Sequence, residues 1–205
     1  MLRSIQAQLQ AVYRIAAPDI RQFLIDGDDV TEVLGEDART ADEWVVIREG
    51  PQGVDVGVYI SPEYLQRLAA HPHPAAAIPG AFTAYCAATE GVSHFLMLFD
   101  RVRREEPVSM LELEAQAEID KFVSAVLHHP DRQQEWWDRL FRNARLADGL
   151  SEEEAARYTE AARLAGAFCA TLTQTPHTAA LLALLRQFWR DSGAKRLDRM
   201  RRLAA

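Results

Sequence analysis

The stretch EGVSHFLMLFDRVRREEPVSMLELEAQAEID (residues 90–120) decides the fold, because it joins two long helical patterns across a short turn. Its first half belongs to a helix predicted over residues 81–104, which Pro107 closes. Its second half begins with Ser109, followed three residues later by a glutamate, which is a capping-box spacing, and continues to about Pro130. So short a connection predicts that the two helices are antiparallel neighbours in a bundle.

Downstream of this pair the helical pattern continues to the C-terminus. One helix is predicted for DRQQEWWDRLFRNARL, a second begins at the capping box of Ser151, and a third runs from Pro176 to Trp189. Gly193 then separates a short basic tail helix. We therefore expect residues 81–205 to form a bundle of about five helices.

Upstream, residues 1–80 mix helical and strand patterns. An N-terminal helix is predicted from apolar residues at helical spacing, which are Ile5, Leu9, Val12, Ile15 and Ala16. The acidic connector DGDDVTEVLGEDARTADE is predicted as a loop with one helical turn. The runs EWVVIREG and GVDVGVYI then alternate at period two around residues 50–53, which predicts a β-hairpin.

The prolines of HPHPAAAIPG predict an irregular segment between the hairpin and the bundle. A lone two-stranded ribbon is marginally stable and needs a helix to pack against. The overall expectation is a mainly α fold in which the N-terminal helix and the small hairpin pack on the bundle. Together they are expected to form one compact domain.

Length and composition favour a folded protein of the cytoplasm. A chain of 205 residues with 48% hydrophobic and 26% charged residues is able to bury one sizeable core. The net charge of −7 argues against a general nucleic-acid binder, since phosphate affinity depends on clustered lysine and arginine. Cys86 and Cys169 have no zinc-binding spacing and are expected to be buried thiols, with a disulfide between them left open.

Neither membrane insertion nor export is expected. The N-terminus has no apolar core of a signal peptide and no small-residue cleavage site. The apolar run TAALLALLRQFW is interrupted at Arg186, far short of the roughly 20 residues that a membrane span requires. A soluble cytoplasmic protein is therefore expected.

The first helix of the central pair carries an acid and an imidazole on a face with little other charge. Glu90 and His94 are four residues apart, so they lie on the same side of the helix, one turn from each other. The opposite side is apolar and consists of Ala84, Ala88, Val92, Phe95, Phe99 and Val102. Leu96 and Leu98 widen that apolar surface, which is typical of a central helix. We expect Glu90 and His94 to be partly buried and to need partners.

The second helix adds two more acids, also four residues apart. Its predicted core side consists of Leu111, Ala115, Ile119, Phe122 and Val126. Glu118 falls inside that arc and Glu114 lies at its edge, where a carboxylate is costly unless it is paired or metal-bound. Glu112, Gln116 and Asp120 are predicted to project outward into solvent.

The ionisable residues of the two helices have two interpretations. In the first, four of them converge and bind a divalent metal, Fe, Mn or Zn, and these are Glu90, His94, Glu114 and Glu118. Three would be catalytic in a metal-dependent enzyme, namely Glu90, His94 and Glu118. The spacing differs from that of di-iron carboxylate bundles, which carry Glu-x-x-His twice, because this chain has Glu-x-x-x-His once. In the second, the acids only hold the helices in register by pairing with His94, Arg101, Arg157 or Arg163.

Known catalytic motifs such as GxSxG, Walker A, GxGxxG and HExxH are absent, which favours an interaction or regulatory module over the metal-dependent enzyme. One of the adjacent residues Trp136 and Trp137 must point away from whatever the other buries. That residue is either the seat of the hairpin or a contact for a protein partner or for self-association. The basic tail, residues 186–205, is predicted as a solvated helix that rests on the acidic connector or attracts an acidic partner. Membrane and nucleic-acid partners are not expected.

Overall fold

The computed structural model describes residues 1–34, 42–50, 53–147, 149–175 and 177–205. Within these ranges the chain forms ten α-helices and one two-stranded sheet. The elements are α1 (Leu2–Tyr13), α2 (Gly27–Leu34), β1 (Glu43–Gly50), β2 (Gly53–Ile60), α3 (Pro62–Ala69), α4 (Pro74–Gly80), α5 (Phe82–Arg103), α6 (Met110–His128), α7 (Gln133–Trp137), α8 (Glu152–Thr173), α9 (Thr178–Arg190) and α10 (Gly193–Leu203). The mainly α class with a small hairpin is confirmed. The predicted number of helices is too low, because short helices also form in segments predicted as loops.

The N-terminal helix α1 turns its predicted apolar stripe toward the core. Ile5 is fully buried, and the helix ends at Arg14, which adopts a left-handed conformation with φ of 56°. Ile15, predicted as part of the stripe, therefore lies beyond the helix. In the acidic connector, α2 is about two turns long rather than one. The connector residues 35–41 lie outside the described residues.

The predicted hairpin is present, with β1 and β2 paired antiparallel. Residues 51–52 of its predicted turn lie outside the described residues. The backbone of β2 also pairs with the segment before α2. The Val58 N–H donates to the Phe23 carbonyl at 2.8 Å, and the Ile25 N–H donates to the Val58 carbonyl at 3.0 Å. This pairing and the complete burial of Val58 hold a ribbon that would be marginally stable alone.

The segment HPHPAAAIPG forms the helix α4, although its prolines predict an irregular chain. Pro74 is the first residue of the helix, where its missing N–H and fixed φ are tolerated. Pro79 lies inside the helix and cannot donate to the carbonyl of Ala75, four residues earlier. The His129 ring donates to that carbonyl instead, at 2.8 Å. A side chain from the end of α6 thus replaces the hydrogen bond that the proline removes.

Helices α5 and α6 form the centre of the fold. The Ser93 hydroxyl donates to Asp120 at 2.6 Å, and the Arg101 guanidinium donates to Glu112 at 3.2 Å. The residue number increases along α5 from the first pair to the second, whereas it decreases along α6. The two helices are therefore antiparallel, as predicted. Helices α1 and α3 and both strands also pack on α5. It is therefore buried around most of its circumference, as its wide apolar surface predicted.

The face of α6 that was predicted to be solvated is buried. Glu112, Gln116 and Asp120 are only 2%, 0% and 1% exposed. The Tyr13 hydroxyl donates to Asp120, and the Arg196 guanidinium donates to both Gln116 and Glu112. The prediction was wrong because it assumed a single core stripe. In the fold, α1 and α10 also pack on α6, in addition to α5 and α8.

The third predicted bundle helix is short and contains the tryptophan pair. It consists of α7 and a following π-helical turn. Trp136 is fully buried and packs on Phe82 and His129, at ring-centroid distances of 5.6 Å and 5.8 Å. Trp137 is half-buried, and its indole N–H donates to the Gly166 carbonyl at 2.9 Å. Both tryptophans are therefore engaged within the chain.

The remaining helices begin close to their predicted positions, and the capping box at Ser151 is formed. The tail helix α10 is not solvated on all sides, because Arg196 is completely buried. Contacts of α1, α3 and both strands with α5 join residues 1–80 to residues 81–205. Their grouping into one domain stays a prediction. Across the described ranges, no helix combines the length and apolar composition that crossing a lipid bilayer would require.

Candidate metal centre

Three of the four predicted metal ligands converge between α5 and α6. Glu90 and His94 lie one turn apart on α5, and Glu114 faces them from α6. One carboxylate oxygen of each glutamate and one ring nitrogen of His94 all lie within 4.8 Å of one another. Ligand atoms bonded to one ion at about 2.1 Å are about 3 to 4.2 Å apart. Small rotations of these side chains would therefore bring all three atoms onto one ion.

The His94 ring lies between two carboxylates. Its Nδ1 is 3.5 Å from Oε1 of Glu43, and its Nε2 is 3.7 Å from Oε2 of Glu114. Both distances exceed ordinary hydrogen-bond lengths. Nε2 has no hydrogen-bond partner among the described residues, although His94 is only 7% exposed. A carboxylate beside Nδ1 is the arrangement that orients a metal-binding histidine and leaves Nε2 for the metal.

Glu43 reaches His94 because α5 carries a glycine next to Glu90. A Cβ atom on Gly91 would lie 3.1 Å from Cγ and 3.3 Å from Oε1 of Glu43, closer than ordinary van der Waals contact. The missing side chain thus allows the start of β1 to approach the helix. Glu43 is not among the predicted site residues, because nothing in the local sequence separates it from the acidic residues before it.

Glu118 lies beside the converging ligands and not among them. Its Oε1 accepts a hydrogen bond from Nζ of Lys121 at 2.8 Å, and the same ammonium is 2.7 Å from Oε2 of Glu90. The Lys121 side chain is 10% exposed, so this cation is nearly buried. A lysine one turn along the same helix therefore balances the acid at the predicted core position. Lys121 has no place in either sequence interpretation.

Helix α8 contributes a cation and a phenol. Nε of Arg157 is 3.7 Å from Oε1 of Glu114, which is one of the ion pairs of the register interpretation. Burial raises the pKa of the neighbouring Tyr158 phenol above its ordinary value, and the negative charges of Glu114 and Glu90 raise it further. Tyr158 is also not predicted, because its approach depends on how α8 packs on α6.

Burial and crowding shift the pKa values of the acids and the imidazole. Burial raises the pKa of Glu114 to about 7, and the charges of Glu90 and Glu43 raise it against the attraction of His94. Burial also raises the pKa of Glu43. Burial lowers the pKa of His94, but the three surrounding carboxylates outweigh it and raise that pKa to about 9. For Glu90 the two effects oppose each other. Burial acts to raise its pKa, but the neighbouring Lys121 lowers it by more, so the pKa lies below its usual value.

These residues, together called the acid–histidine cluster, contain more negative than permanent positive charge. Its members are Glu43, Glu90, His94, Glu114, Glu118, Lys121 and Arg157. Four carboxylates face one ammonium and one guanidinium, so two negative charges remain when His94 is neutral. Buried charge is costly unless it is balanced. Either bound protons or one divalent cation would supply the balance.

Neither cysteine is a member of the acid–histidine cluster, although Cys86 lies one turn before Glu90 on α5. Cys169 is buried as predicted, Cys86 is partly exposed, and both are free, so no disulfide joins them. No family model, no curated protein and no solved structure matches this chain. The interpretation of the cluster therefore rests on its geometry and charge.

Proposed function

We propose that the protein binds one divalent metal ion, Mn, Fe or Zn, through Glu90, His94 and Glu114, as the centre of a metal-dependent enzyme. The observation that carries this proposal is Nε2 of His94, which is buried, faces Glu114 and has no hydrogen-bond partner in the described part of the chain. Glu43 stands beside the other ring nitrogen. A ligand set of carboxylate oxygens and one imidazole suits these three metals.

The number of ligands supports a catalytic rather than a purely structural metal. Three protein ligands leave at least one coordination position for water or substrate, whereas structural sites are closed by four. Glu90 and Glu118 each retain 20% side-chain exposure, so this side of the cluster is in contact with solvent. Glu118 would then position Lys121.

The alternative for the same residues is a metal-free network of ion pairs. Glu114 would then only connect His94 of α5 to Arg157 of α8, at 3.7 Å from each. Both functions predict that losing Glu114 affects stability, because a buried partner is left unpaired in either case. Metal content separates them, since only the first function requires an ion.

The test is metal analysis of the purified chain after equilibration with Mn, Fe or Zn. We expect about one tightly held ion per chain in the wild type, and its loss in His94→Gln and Glu114→Gln, because each change removes one of three ligands. The matched control is Glu112→Gln, a carboxylate on the same helix that is 2% exposed and pairs with Arg101 and Arg196 instead.

Glu112→Gln is expected to lower the free energy of unfolding and to retain the ion. A wild-type chain that binds none of the three metals would contradict the proposal, as would equal loss of metal in Glu112→Gln. The interaction or regulatory module expected from the sequence stays a prediction. Size-exclusion chromatography of the wild type tests its self-association.

A further inference from the structure

A second concave site lies where three helices end. This cleft, called the arginine cleft, has a volume of about 430 Å³ and is formed at the C-terminal ends of α1, α5 and α9. Its walls include five arginines, which are Arg14, Arg103, Arg104, Arg186 and Arg190. In a chain of net charge −7, this is a local concentration of positive charge.

Helix capping accounts for some of these arginine donors. The Arg186 guanidinium donates to the Val12 carbonyl at 2.8 Å and to the Ala11 carbonyl at 3.2 Å, at the end of α1. Nε of Arg190 donates to the Arg186 carbonyl at 3.0 Å. Each guanidinium has five N–H donors. Capping therefore leaves donors on Arg186 and Arg190 for another acceptor.

Carboxylates balance only part of the positive charge. Asp100, the acid in the wall, lies 3.5 Å from Arg103 and 3.3 Å from Arg104 and accepts the indole N–H of Trp189 at 2.9 Å. Among the described residues, no carboxylate lies within 4.0 Å of the other three arginines, which are Arg14, Arg186 and Arg190. Arg104 also pairs with Glu106 at 3.0 Å. Asp100, Glu106 and three helix C-termini of about −0.5 charge each do not offset five arginines, so the cleft stays positive.

We propose that the arginine cleft binds a small phosphorylated molecule whose phosphate is held by Arg14, Arg186 and Arg190. Planar guanidinium groups match phosphate oxygens in pairs, and several of them suit an anion with more than one charge. The volume of the cleft lies within the range of small-molecule pockets. It is a concave site and not a long basic surface, so it suits a compact ligand rather than a nucleic-acid duplex.

The floor of the cleft accepts the less polar part of such a ligand. Tyr13 and Trp189 are stacked at a centroid distance of 4.2 Å and line the cleft together with Ile15. The Tyr13 hydroxyl donates to Asp120 and the Trp189 indole N–H to Asp100, so the polar atoms of both rings are already used. The rings are only 5% and 3% exposed, so they form a mostly apolar floor beneath the arginines rather than an open surface.

The arginine cleft is separate from the acid–histidine cluster, although both involve α5. His94 precedes Asp100 by six residues, which corresponds to a rise of about 9 Å along the helix. The cleft shares no residue with the cluster. This proposal therefore does not depend on metal binding.

The test uses inorganic pyrophosphate as the probe and isothermal titration calorimetry of the full chain at low ionic strength. We expect one binding site, and at least about tenfold weaker binding in Arg14→Gln/Arg190→Gln, because charge-assisted contacts to the phosphate are lost. The matched control is Arg3→Gln/Arg201→Gln, which removes the same net charge from exposed positions outside the cleft. Its affinity is expected to change less than about twofold. Arg14→Gln alone repeats the test if the double variant does not fold.

Three outcomes would overturn the proposal. The first is no binding of pyrophosphate by the wild type. The second is equal weakening in the cleft and control variants, which would mean general electrostatic attraction. The third is a preference for citrate or for duplex DNA over pyrophosphate, which would assign the cleft to carboxylates or to an extended polyanion.

Discussion

His94 is the residue on which the acid–histidine cluster depends, because both of its ring nitrogens face carboxylates. Without metal, the ring satisfies those charges by staying protonated, and its pKa is raised from 6.5 to about 9 although burial opposes the charged form. A metal ion on Nε2 requires the neutral ring. Under the proposed function, a proton and a metal ion would therefore compete for the same position.

This competition predicts that the stability of the metal-free chain falls as the pH rises, whereas its affinity for the metal rises. His94 and Glu114 both have raised pKa values in the fold, about 9 against 6.5 and about 7 against 4.5. Their contribution to stability is fully present below the ordinary values and is lost as the pH rises through the raised ones. We expect the metal-free chain to become easier to denature with urea between pH 4.5 and about 9.

Metal affinity should change in the other direction. Between pH 7 and 9 binding displaces the His94 proton, so affinity should rise about tenfold per pH unit. Isothermal titration calorimetry with Mn²⁺ measures the affinity. Repeating it in buffers of different ionisation enthalpy gives the number of protons released. An affinity that is constant across this range would mean that the ion does not bind at His94.

At the residue scale, spacing on the two helices selected four candidate ligands, and three of them, Glu90, His94 and Glu114, converge in the fold. Spacing did not find the residues around them. Glu90 and His94 are four apart on one helix, which places them on one face in any fold. Glu43 approaches His94, and Lys121 approaches Glu90, only in the tertiary structure. Glu118 stood out in the sequence because a helical projection places it in the core arc of α6. The projection does not reveal that Lys121, three residues away, turns back and pairs with it.

Among the elements, α5 is the helix on which the hairpin packs, and the close contact is made at Gly91, which has no side chain. Gly91 allows Glu43 at the start of β1 to reach His94, and β2 is held by its pairing with the segment before α2. A glycine in the middle of a helix costs about 1 kcal/mol relative to alanine. The close approach of the strand offsets that cost.

Gly91→Ala is therefore expected to weaken metal binding more than it lowers stability. The new Cβ atom would push Glu43 away by a few tenths of an ångström, and misplacing such an orienting carboxylate lowers metal affinity by about tenfold or more. Better helix propensity offsets part of the stability loss. Titration with Mn²⁺ and urea denaturation measure the two effects.

A double-mutant cycle checks the cause of this loss. In a Glu43→Ala background the clash is gone, so Gly91→Ala should have almost no further effect on metal affinity. An equal loss of affinity in both backgrounds would contradict a role of Gly91 in admitting Glu43.

The order of the main elements and most of their first residues were predictable because caps, prolines and periodicity are local signals. Ser109 and Ser151 accept their capping hydrogen bonds at the helix starts predicted from them. The helix α4 was not predictable, because the partner of the Ala75 carbonyl is His129, 54 residues away in sequence. The burial of the second face of α6 was also not predictable, because it depends on how many other helices pack around α6.

In the molecule as a whole, a second buried polar network ties the C-terminal tail to the centre. Arg196 of α10 is completely buried and donates to Glu112 at 3.1 Å, beside Arg101 at 3.2 Å from the same carboxylate oxygen. Burial lowers the pKa of Arg196 to about 10, against the attraction of Glu112. The sequence predicts that a basic tail is solvated, because arginine is rarely buried unless it is paired. The partners of Arg196 are visible only in the fold.

Arg196→Met is expected to lower the free energy of unfolding by about 3 kcal/mol, because it removes one partner from a buried, charged network. Arg201→Met is the control, since Arg201 is exposed on the same helix, and it should change stability by about 0.5 kcal/mol or less. Urea denaturation measures both, and metal content should be unchanged in both. Equal stability of the two variants would show that the Arg196 network does not stabilise the fold.

The contribution of the hairpin to the acid–histidine cluster also bears on the order of folding. Glu43, the α5–α6 pair and Arg157 of α8 are far apart along the chain and adjoin only after all three parts have docked. An early intermediate that contained only the central helices would hold its glutamates without the group that orients the imidazole. Under the proposed function, tight binding of the ion is therefore expected late in folding, and loss of the ion is expected early when the hairpin detaches.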